Sequence, residues 1–171
     1  MRTIGVISDT HGLLRPEALA ALEGSTLILH AGDVGDARIL DALARIAPVH
    51  AVRGNTDYGE LRARLPRTVE VDLGAEDGST VSDSNHGRAG VGPLVYVHHG
   101  DHELDLDPAA AGIALVVSGH THRPLVEERG GVLYLNPGSA GPRRFKLPAT
   151  VARVRVDGTA LRAEIVPLKD T

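Results

Sequence analysis

Five short segments of this chain place Asp, His or Asn side chains directly after runs of apolar, β-prone residues. The segments are SDTHG (8–12), AGD (31–33), RGN (53–55), HHG (98–100) and SGHTH (118–122). In open α/β proteins, ligands gather at the carboxyl ends of strands, on loops held by a rigid sheet. The repeated arrangement therefore predicts a sheet protein whose polar residues converge at one edge.

The N-terminal part of the chain alternates strand-like and helix-like segments. Strands are predicted at 3–8, 26–33 and 49–55, and helices at 16–23 and 36–46. Apolar residues recur at helical spacing in the second helix, and a proline opens the first. The β-α-β-α-β order implies a parallel sheet with right-handed crossovers.

The remainder of the chain consists mainly of predicted strands. Residues 67–74 alternate apolar and charged side chains, while 93–100 and 113–120 contain apolar runs typical of buried strands. Two hairpins are predicted around Gly130-Gly131 and Asp157-Gly158. We expect this part to be mostly antiparallel and to pack against the parallel first part.

Composition narrows the classes of function. A chain of 171 residues that is 42% hydrophobic can form one domain, residues 1–171, with its own core. A net charge of −4 and an aromatic content of 2% disfavour a nucleic-acid partner. The absence of cysteine excludes disulfides and thiolate ligands. The apolar runs are too short for a secretory signal or a bilayer span, so we expect a cytoplasmic protein without a membrane partner.

Seven side chains in the five segments are predicted to bind metal. They are Asp9, His11, Asp33, Asn55, His99, His120 and His122. The i, i+2 spacing of the first pair and of the last pair puts both side chains of each pair on one side of an extended backbone. Seven donors exceed what one tetrahedral site needs and suit two ions that share a bridge. Ligation without sulfur is compatible with Mn, which we favour, and with Ni, Fe, Co, Zn or Mg.

The order D-x-H, G-D, G-N, H-G and G-H-x-H resembles that of the calcineurin-like metallophosphoesterase superfamily over residues 4–140. The small size, the form RGNTD and NPGS (136–139) resemble its compact bacterial and archaeal phosphodiesterase branch. The resemblance implies an α/β fold, namely a four-layer α/β/β/α sandwich of two mixed β-sheets flanked by helices.

The same resemblance implies an activity and a ligand assignment. It implies a dinuclear-metal-dependent hydrolase of small or generic phosphodiesters, whose nucleophile is a hydroxide between the ions rather than a protein side chain. One ion would be held by Asp9, His11 and His122, the other by Asn55, His99 and His120, and Asp33 would bridge them. Asp57 and Arg143 are predicted to contact the substrate.

One position departs from the wider superfamily. Many members read G-N-H-[DE], and that histidine is thought to help protonate the leaving group, whereas this chain has Thr56 there. Threonine cannot act as a general acid near neutral pH, so we expect good leaving groups to be strongly favoured. No inserted cap is evident, and loop 75–92 is the one obvious element that would shape access to the site.

Further histidines lie near the motifs. Adjacent strand residues face opposite sides, so only one of His98 and His99 can enter the site, and the family pattern indicates His99. His30 is expected to be a hydrogen-bonded core histidine, and His102 is an open candidate for a contact to a ligand residue or to the substrate.

Two other functions compete with the phosphodiesterase. A nuclease using the same metals is disfavoured by the acidic net charge and the few aromatics. A non-catalytic protein-binding scaffold, like the metallophosphoesterase-like subunit of the retromer coat, is disfavoured because all seven ligand-type residues are present. An exposed apolar edge would support a homodimer, although no pattern demands one.

Overall fold

The computed structural model describes residues 1–74 and 92–169 of the chain. In chain order the elements of these residues are β1 (Arg2–Ile7), α1 (Pro16–Leu22), β2 (Leu27–His30), α2 (Ala37–Ala44), β3 (Val49–Ala51), α3 (Gly59–Arg64), β4 (Thr68–Asp72), β5 (Leu94–His98), β6 (Ile113–Val117), β7 (Leu125–Arg129), β8 (Val132–Asn136), β9 (Thr150–Asp157) and β10 (Ala160–Pro167). The predicted loop at 75–92 lies outside the described residues, apart from Gly92.

The strands form two five-stranded mixed sheets. Sheet A has the order β10-β9-β1-β2-β3, in which β1, β2 and β3 are parallel and β9 and β10 are antiparallel additions. Sheet B has the order β4-β5-β6-β8-β7, in which β5, β6 and β8 are parallel. The predicted parallel β-α-β-α-β run and the two mixed sheets are confirmed.

The expectation that the second part of the chain is mostly antiparallel is confirmed, because β4 pairs with β5, β7 with β8, and β9 with both β1 and β10 in antiparallel orientation. The parallel run of β5, β6 and β8 was not predicted, and the nearly continuous burial of β5 and β6 is typical of parallel strands covered on both faces. Strands β9 and β10 do not join this second sheet but extend sheet A beside β1. The chain therefore completes sheet A with residues distant in sequence, whereas the strands of sheet B are consecutive in the chain.

The main hydrophobic core lies between the two sheets. Strand alternation directs Ile4, Val6 and Leu29 of sheet A toward Val97 and Val117 of sheet B, and each of these is fully buried. Burying a side chain of this size stabilises the fold by roughly 1.5–3 kcal/mol. This shared core holds the two sheets face to face.

The three helices among the described residues cover the outer face of sheet A. Ile7 and Ile28 point away from sheet B and pack with Leu22 of α1, Leu43 of α2 and Leu61 of α3. α1 and α2 begin and end within a residue or two of their predicted limits. The six-residue α3 was not predicted, because a single short turn-like segment carries too little periodicity. None of these helices is long and apolar enough to cross a membrane.

The outer face of sheet B is covered differently. Tyr96, Val116 and Val132 pack there against Leu104 and Leu106 of the segment that joins β5 to β6. The described part of this segment forms turns instead of the helix that a fully four-layered sandwich would have there. The α/β class with two mixed sheets and flanking helices is confirmed, but the described helices flank sheet A.

A turn-forming sequence explains why the segment between β5 and β6 forms no helix. The Asp107 carboxylate accepts hydrogen bonds from the N–H groups of Ala109 and Ala110, at 3.1 and 3.3 Å. Gly112 then takes a φ of 73°, which ends the turn before a second helical turn can form.

The carboxyl ends of the parallel strands in both sheets meet at one edge of the molecule. Backbone hydrogen bonds join the loops there, from the N–H of Asp9 to Gly32 O (3.0 Å) and of His11 to Asp33 O (2.9 Å) in sheet A. In sheet B the N–H of Gly119 donates to His99 O, at 2.8 Å. This edge carries the candidate functional site.

Candidate metal centre

Strained backbone is concentrated at this edge. Six non-glycine residues among those described have positive φ, and five of them are predicted ligands: Asp9, His11, Asp33, His120 and His122, with φ between 46° and 67°. A left-handed conformation costs about 1–2 kcal/mol for each such residue. Strain of this kind persists only where the surrounding structure enforces it, and it clusters at functional sites.

The first group of donors consists of Asp9, His11 and His122. Asp9 Oδ1 lies 3.2 Å from His122 Nε2 and 3.7 Å from His11 Nε2. The two Nε2 atoms are 3.2 Å apart. Three potential ligand atoms therefore point at one small volume.

The second group is connected to the first through Asp33. Its Oδ2 lies 3.2 Å from His99 Nε2 and 3.7 Å from His11 Nε2. The same oxygen thus faces both groups. The Asp33 carboxylate therefore lies close to donor atoms of both groups.

Asn55 and His120 complete the second group. Asn55 Oδ1 lies 3.0 Å from His99 Nε2 and 3.2 Å from His120 Nδ1. His120 directs its Nδ1 atom inward, whereas His11, His99 and His122 direct Nε2. The structure therefore brings together all seven residues that the sequence singles out.

These donors fit divalent cations. The ligand atoms of Asp9, His11 and His122, and those of Asp9, Asp33 and His99, form two sets that each lie within 4.8 Å of one another. Ligands bound at about 2.0–2.2 Å to one ion lie roughly 3–3.5 Å apart, close to the distances seen here. Asp9 Oδ1 is buried and has no hydrogen-bond donor among the described residues. Such a buried acceptor calls for an explanation, and a cation provides one.

Electrostatics in the metal-free site favour ionised carboxylates. Burial would raise the pKa of Asp9, but contacts with His11, His122 and Ser8 lower it well below its usual range. Burial opposes ionisation of Asp33 too, yet His99 and Thr56 lower its pKa to about 2. The pKa of His99 rises to about 9 although burial lowers it, because Asp33 is its neighbour. The cluster thus carries the negative charge that attracts a cation.

Neighbouring groups orient the two carboxylates. Asp9 Oδ2 accepts from Ser8 Oγ at 2.6 Å and from the backbone N–H of His120 at 3.1 Å, which turns Oδ1 toward the histidines. Asp33 Oδ1 accepts from the backbone N–H of Thr56 at 2.9 Å, which turns Oδ2 inward. Each carboxylate therefore has one supported oxygen and one oxygen facing the site.

The ring orientation of His99 is set by the backbone. Its Nδ1 donates to the carbonyl oxygen of Ala31 at 2.8 Å, since a carbonyl can only accept. In the neutral ring, Nε2 is then the unprotonated atom, and it faces Asp33 and Asn55. This is the tautomer that a metal ligand at Nε2 requires.

Two glycines permit the close approach of these loops. A Cβ at Gly54 would overlap the Asp33 carboxylate, and a Cβ at Gly119 would overlap Ser8 Oγ. The glycines of the RGN and SGHTH segments are therefore needed because any side chain at these positions would clash with a neighbouring loop.

The Asp57 side chain, a predicted substrate contact, is turned toward backbone N–H groups. Its side chain is buried, and its oxygens accept from the backbone N–H groups of Val34, Gly35 and Gly54, at 3.2, 3.0 and 2.8 Å. Asp57 thus joins the loop after β2 to the loop after β3. Arg143, the other predicted substrate contact, is exposed on the loop between β8 and β9.

The NPGS segment (136–139) forms hydrogen bonds with the backbone and side chains of the ligand loops. Asn136 Nδ2 donates to Gly119 O at 2.8 Å and to Thr121 Oγ1 at 3.1 Å. Ser139 Oγ donates to the Asp9 carbonyl at 3.0 Å. These two side chains hold the first and last ligand loops together. Ser8 and Asn136 were not predicted as site residues, although both lie within or beside the ligand motifs.

The remaining histidines occupy distinct environments. His98 lies on the face opposite His99, near the ring of Tyr96 at 5.8 Å, and burial lowers its pKa. His30 is fully buried and contacts Thr10 Oγ1 at 3.1 Å. His102 is exposed and contacts Asp101 and Arg67 beside the metal centre.

Comparison with known proteins identifies a family and relatives for this chain. The profile of the calcineurin-like phosphoesterase superfamily domain matches residues 1–159. A probable metallophosphoesterase of Methanocaldococcus jannaschii is 34% identical over 174 residues, covering 98% of this chain and 82% of the relative. A probable metallophosphoesterase of Methanothermobacter thermautotrophicus is 36% identical over 170 residues, covering 95% and 91%.

Solved structures share the fold. Vacuolar Protein Sorting 29 from Cryptosporidium parvum superposes with a TM-score of 0.74 at 20% identity, covering 99% of this chain and 92% of that one. A structure described as a novel archaeal phosphodiesterase superposes with a TM-score of 0.69 at 22% identity, covering 96% and 99%. The match of the family profile to nearly the whole chain shows that this protein belongs to the calcineurin-like phosphoesterase superfamily.

Proposed function

We propose that this protein is a phosphodiesterase that hydrolyses small or generic phosphodiesters with two divalent metal ions. The observation that carries the proposal is the position of Asp33, whose Oδ2 lies between His11 and His99 at the meeting point of both sheets. Mn²⁺ is the ion we favour, because imidazole and oxygen donors occur together without sulfur.

The donor groups divide between the two proposed ions. One ion would be held by Asp9, His11 and His122, the second by Asn55, His99 and His120, with Asp33 shared between them. When bound, such ions polarise phosphoryl oxygens and make a water molecule nucleophilic near neutral pH.

The chain's own residues prepare this site. Ser8 and the Thr56 N–H orient the two carboxylates, and the Ala31 carbonyl selects the His99 tautomer. No protein nucleophile is proposed. Arg143 stays a proposed substrate contact on the exposed loop after β8.

The competing functions use the same fold. The likeness to Vacuolar Protein Sorting 29 concerns the fold alone, at 20% identity, and is compatible with a protein-binding scaffold. The description of another neighbour as an archaeal phosphodiesterase supports activity on diesters. We further propose that residues 1–171 act as one domain in the cytoplasm, with a homodimer as the oligomeric state to examine.

Hydrolysis of bis-p-nitrophenyl phosphate tests the function directly. Metal-stripped protein is assayed before and after Mn²⁺ is added, with p-nitrophenyl phosphate alongside. We expect turnover only with metal and faster turnover of the diester. Folded protein that binds Mn²⁺ but is inactive on both esters would contradict the proposal and favour the scaffold.

A further inference from the structure

A cationic cavity adjoins the metal centre. It has a volume of about 330 Å³ and is lined by Arg53, Arg62, Arg67, Asp101, His102 and Asn55, among others. Its wall includes three guanidinium groups and one carboxylate, although the whole chain carries a net charge of −4. A concave surface with a local excess of positive charge attracts anions.

The cavity is continuous with the proposed metal ligands. Asn55 lines it and also contacts His99 and His120 through Oδ1, at 3.0 and 3.2 Å. Asp101 and His102 follow His99 closely in the chain. A group in this cavity would therefore sit beside a phosphate at the metal centre.

Arg53 is held in place before any ligand arrives. Its Nη1 donates to the carbonyl oxygens of Arg62 and Leu65, at 3.0 and 3.3 Å, at the carboxyl end of α3. Among the described residues, its Nε and Nη2 have no hydrogen-bond acceptor, and the residue is half-buried. A planar guanidinium that is already oriented loses little entropy when it binds an oxyanion.

Arg67 is positioned by a second contact. It donates to His102 Nε2, so the other ring nitrogen, Nδ1, carries the proton and donates to Asp101 Oδ1 at 3.0 Å. The Asp101 carboxylate therefore pairs with His102. Among the described residues it forms no hydrogen bond with Arg53 or Arg62. The positive charge of these arginines remains available to a ligand.

We propose that this cavity binds a second anionic group of the substrate, so that the substrate is a phosphoric ester carrying a further phosphate-type or carboxylate group. This inference rests on the proposed function, because it assigns the scissile phosphate to the metal centre. Arginine suits both anions, since its fork of N–H groups matches their paired oxygens.

Three matched substrates test the proposal. They are 4-nitrophenyl diesters of phosphoric acid whose second alcohol is ethyl, 2-carboxyethyl or 2-phosphonoethyl. Hydrolysis breaks the bond from phosphorus to the nitrophenyl oxygen and forms one to water oxygen, releasing nitrophenolate and protons to solvent. With Mn²⁺ at low ionic strength, we expect kcat/KM of at least one anionic ester to exceed that of the ethyl ester about tenfold, since each exposed ion pair contributes up to about fivefold.

A matched pair of variants identifies the cavity as the cause. Arg62→Gln removes a lining charge, whereas Arg64→Gln removes the same charge from the same helix outside the cavity. We expect Arg62→Gln to lower the preference for the anionic ester about fivefold and Arg64→Gln to change it less than twofold. The preference should also weaken as salt is raised. Because Arg62 is exposed, the substitution leaves the core unchanged.

Binding to metal-free protein provides a measurement that does not need activity. Calorimetric titration with inorganic pyrophosphate should show binding that Arg62→Gln weakens about fivefold and Arg64→Gln leaves within twofold. Equal kcat/KM for all three esters, or equal effects of the two variants, would overturn the anion subsite while leaving the phosphodiesterase intact. Inactivity on every ester would instead overturn the proposed function, and the titration would then decide the subsite alone.

Discussion

The two oxygens of Asp33 have separate functions at the residue scale. Oδ1 accepts from the Thr56 N–H, and Oδ2 faces His11 and His99. The residue holds a φ of 51° in order to present both oxygens in this way. The hydrogen bond to Oδ1 and the strained backbone of Asp33 therefore both orient Oδ2 toward the histidines.

Substitution of Asp33 by Asn tests that division. The variant retains an oxygen for the Thr56 N–H but loses the negative charge between the histidines. We expect Mn²⁺ affinity measured by calorimetry to fall at least tenfold, because even the loss of a group that only orients a ligand typically lowers metal affinity by about 10–100-fold. Asp41→Asn, an exposed change on α2, is the control. Equal affinities of the two variants would contradict a ligand role for Asp33.

Thr56 leads to a second prediction at the residue scale, which concerns the dependence of rate on the leaving group. No general acid follows Asn55, so hydrolysis rates should fall steeply as the pKa of the leaving alcohol rises. A Thr56→His variant keeps the backbone N–H that supports Asp33 and adds an imidazole. We expect it to raise the rates for alkyl leaving groups by about tenfold or more, within the usual contribution of acid catalysis. A rate independent of leaving-group pKa in the unmodified protein would disprove the idea.

At the scale of elements, the loops after β1, β2 and β3 act as one unit. Asp57 joins the second and third loops through backbone N–H groups. His30 joins the first and second, because its Nδ1 accepts from the Gly32 N–H of the second loop at 3.2 Å and its Nε2 contacts Thr10 Oγ1 of the first loop at 3.1 Å. Thr10 Oγ1 donates its single proton to Val34 O at 2.8 Å, so it can only accept from His30. The proton of the His30 ring is therefore on Nε2. These buried contacts place the ligand loops without touching a ligand atom.

The His30 contacts predict acid sensitivity of the metal-free protein. Burial lowers its pKa from 6.5 to about 4, against the opposing effect of Asp9, Asp57 and Asp33. Between these values the unfolded chain binds the extra proton and the folded one does not, so the free energy of unfolding should fall as pH falls from about 6.5 toward 4. The slope attributable to His30 is up to about 1.4 kcal/mol per pH unit.

Urea denaturation of metal-free protein across this pH range measures the effect. A His30→Gln variant, whose amide can still accept and donate, should show a shallower decline in unfolding free energy than the unmodified protein. Parallel declines in the two proteins would exclude His30 as the source. Removing the metal first is necessary because protons compete with cations for the ligand histidines.

At the scale of the whole molecule, the candidate site connects the two sheets. Asp9, Asp33 and Asn55 come from loops of sheet A, while His99 and His122 come from loops of sheet B. Bound cations would therefore link the sheets at an edge where the interface otherwise depends on loop hydrogen bonds. Metal binding and global stability should be coupled.

Metal removal should lower the melting temperature. At a free Mn²⁺ concentration about 100 times the dissociation constant, one site stabilises the folded state by about 2.7 kcal/mol. For a domain of this size that corresponds to a shift of roughly 5–10 °C. Thermal denaturation with and without chelator measures it, with the Asp33→Asn variant as control. Equal melting temperatures despite demonstrated Mn²⁺ binding would contradict the coupling.

Local signals made much of the fold and site predictable from the sequence. Apolar periodicity and strand-end placement are properties of neighbouring residues, so they located α1, α2, most strands and the seven donors. Local sequence could not reveal that β9 pairs with β1, because that register depends on residues far apart in the chain.

The sequence by itself determined which side chains were available as ligands and that they follow strands. Only the tertiary structure decided which atoms meet: His120 offers Nδ1, Asp57 turns toward backbone N–H groups, and Arg53, Arg62 and Arg67 share a cavity. The physical reason is that side-chain direction at a loop depends on backbone strain and on packing between two sheets. Both arise only when distant strands are assembled.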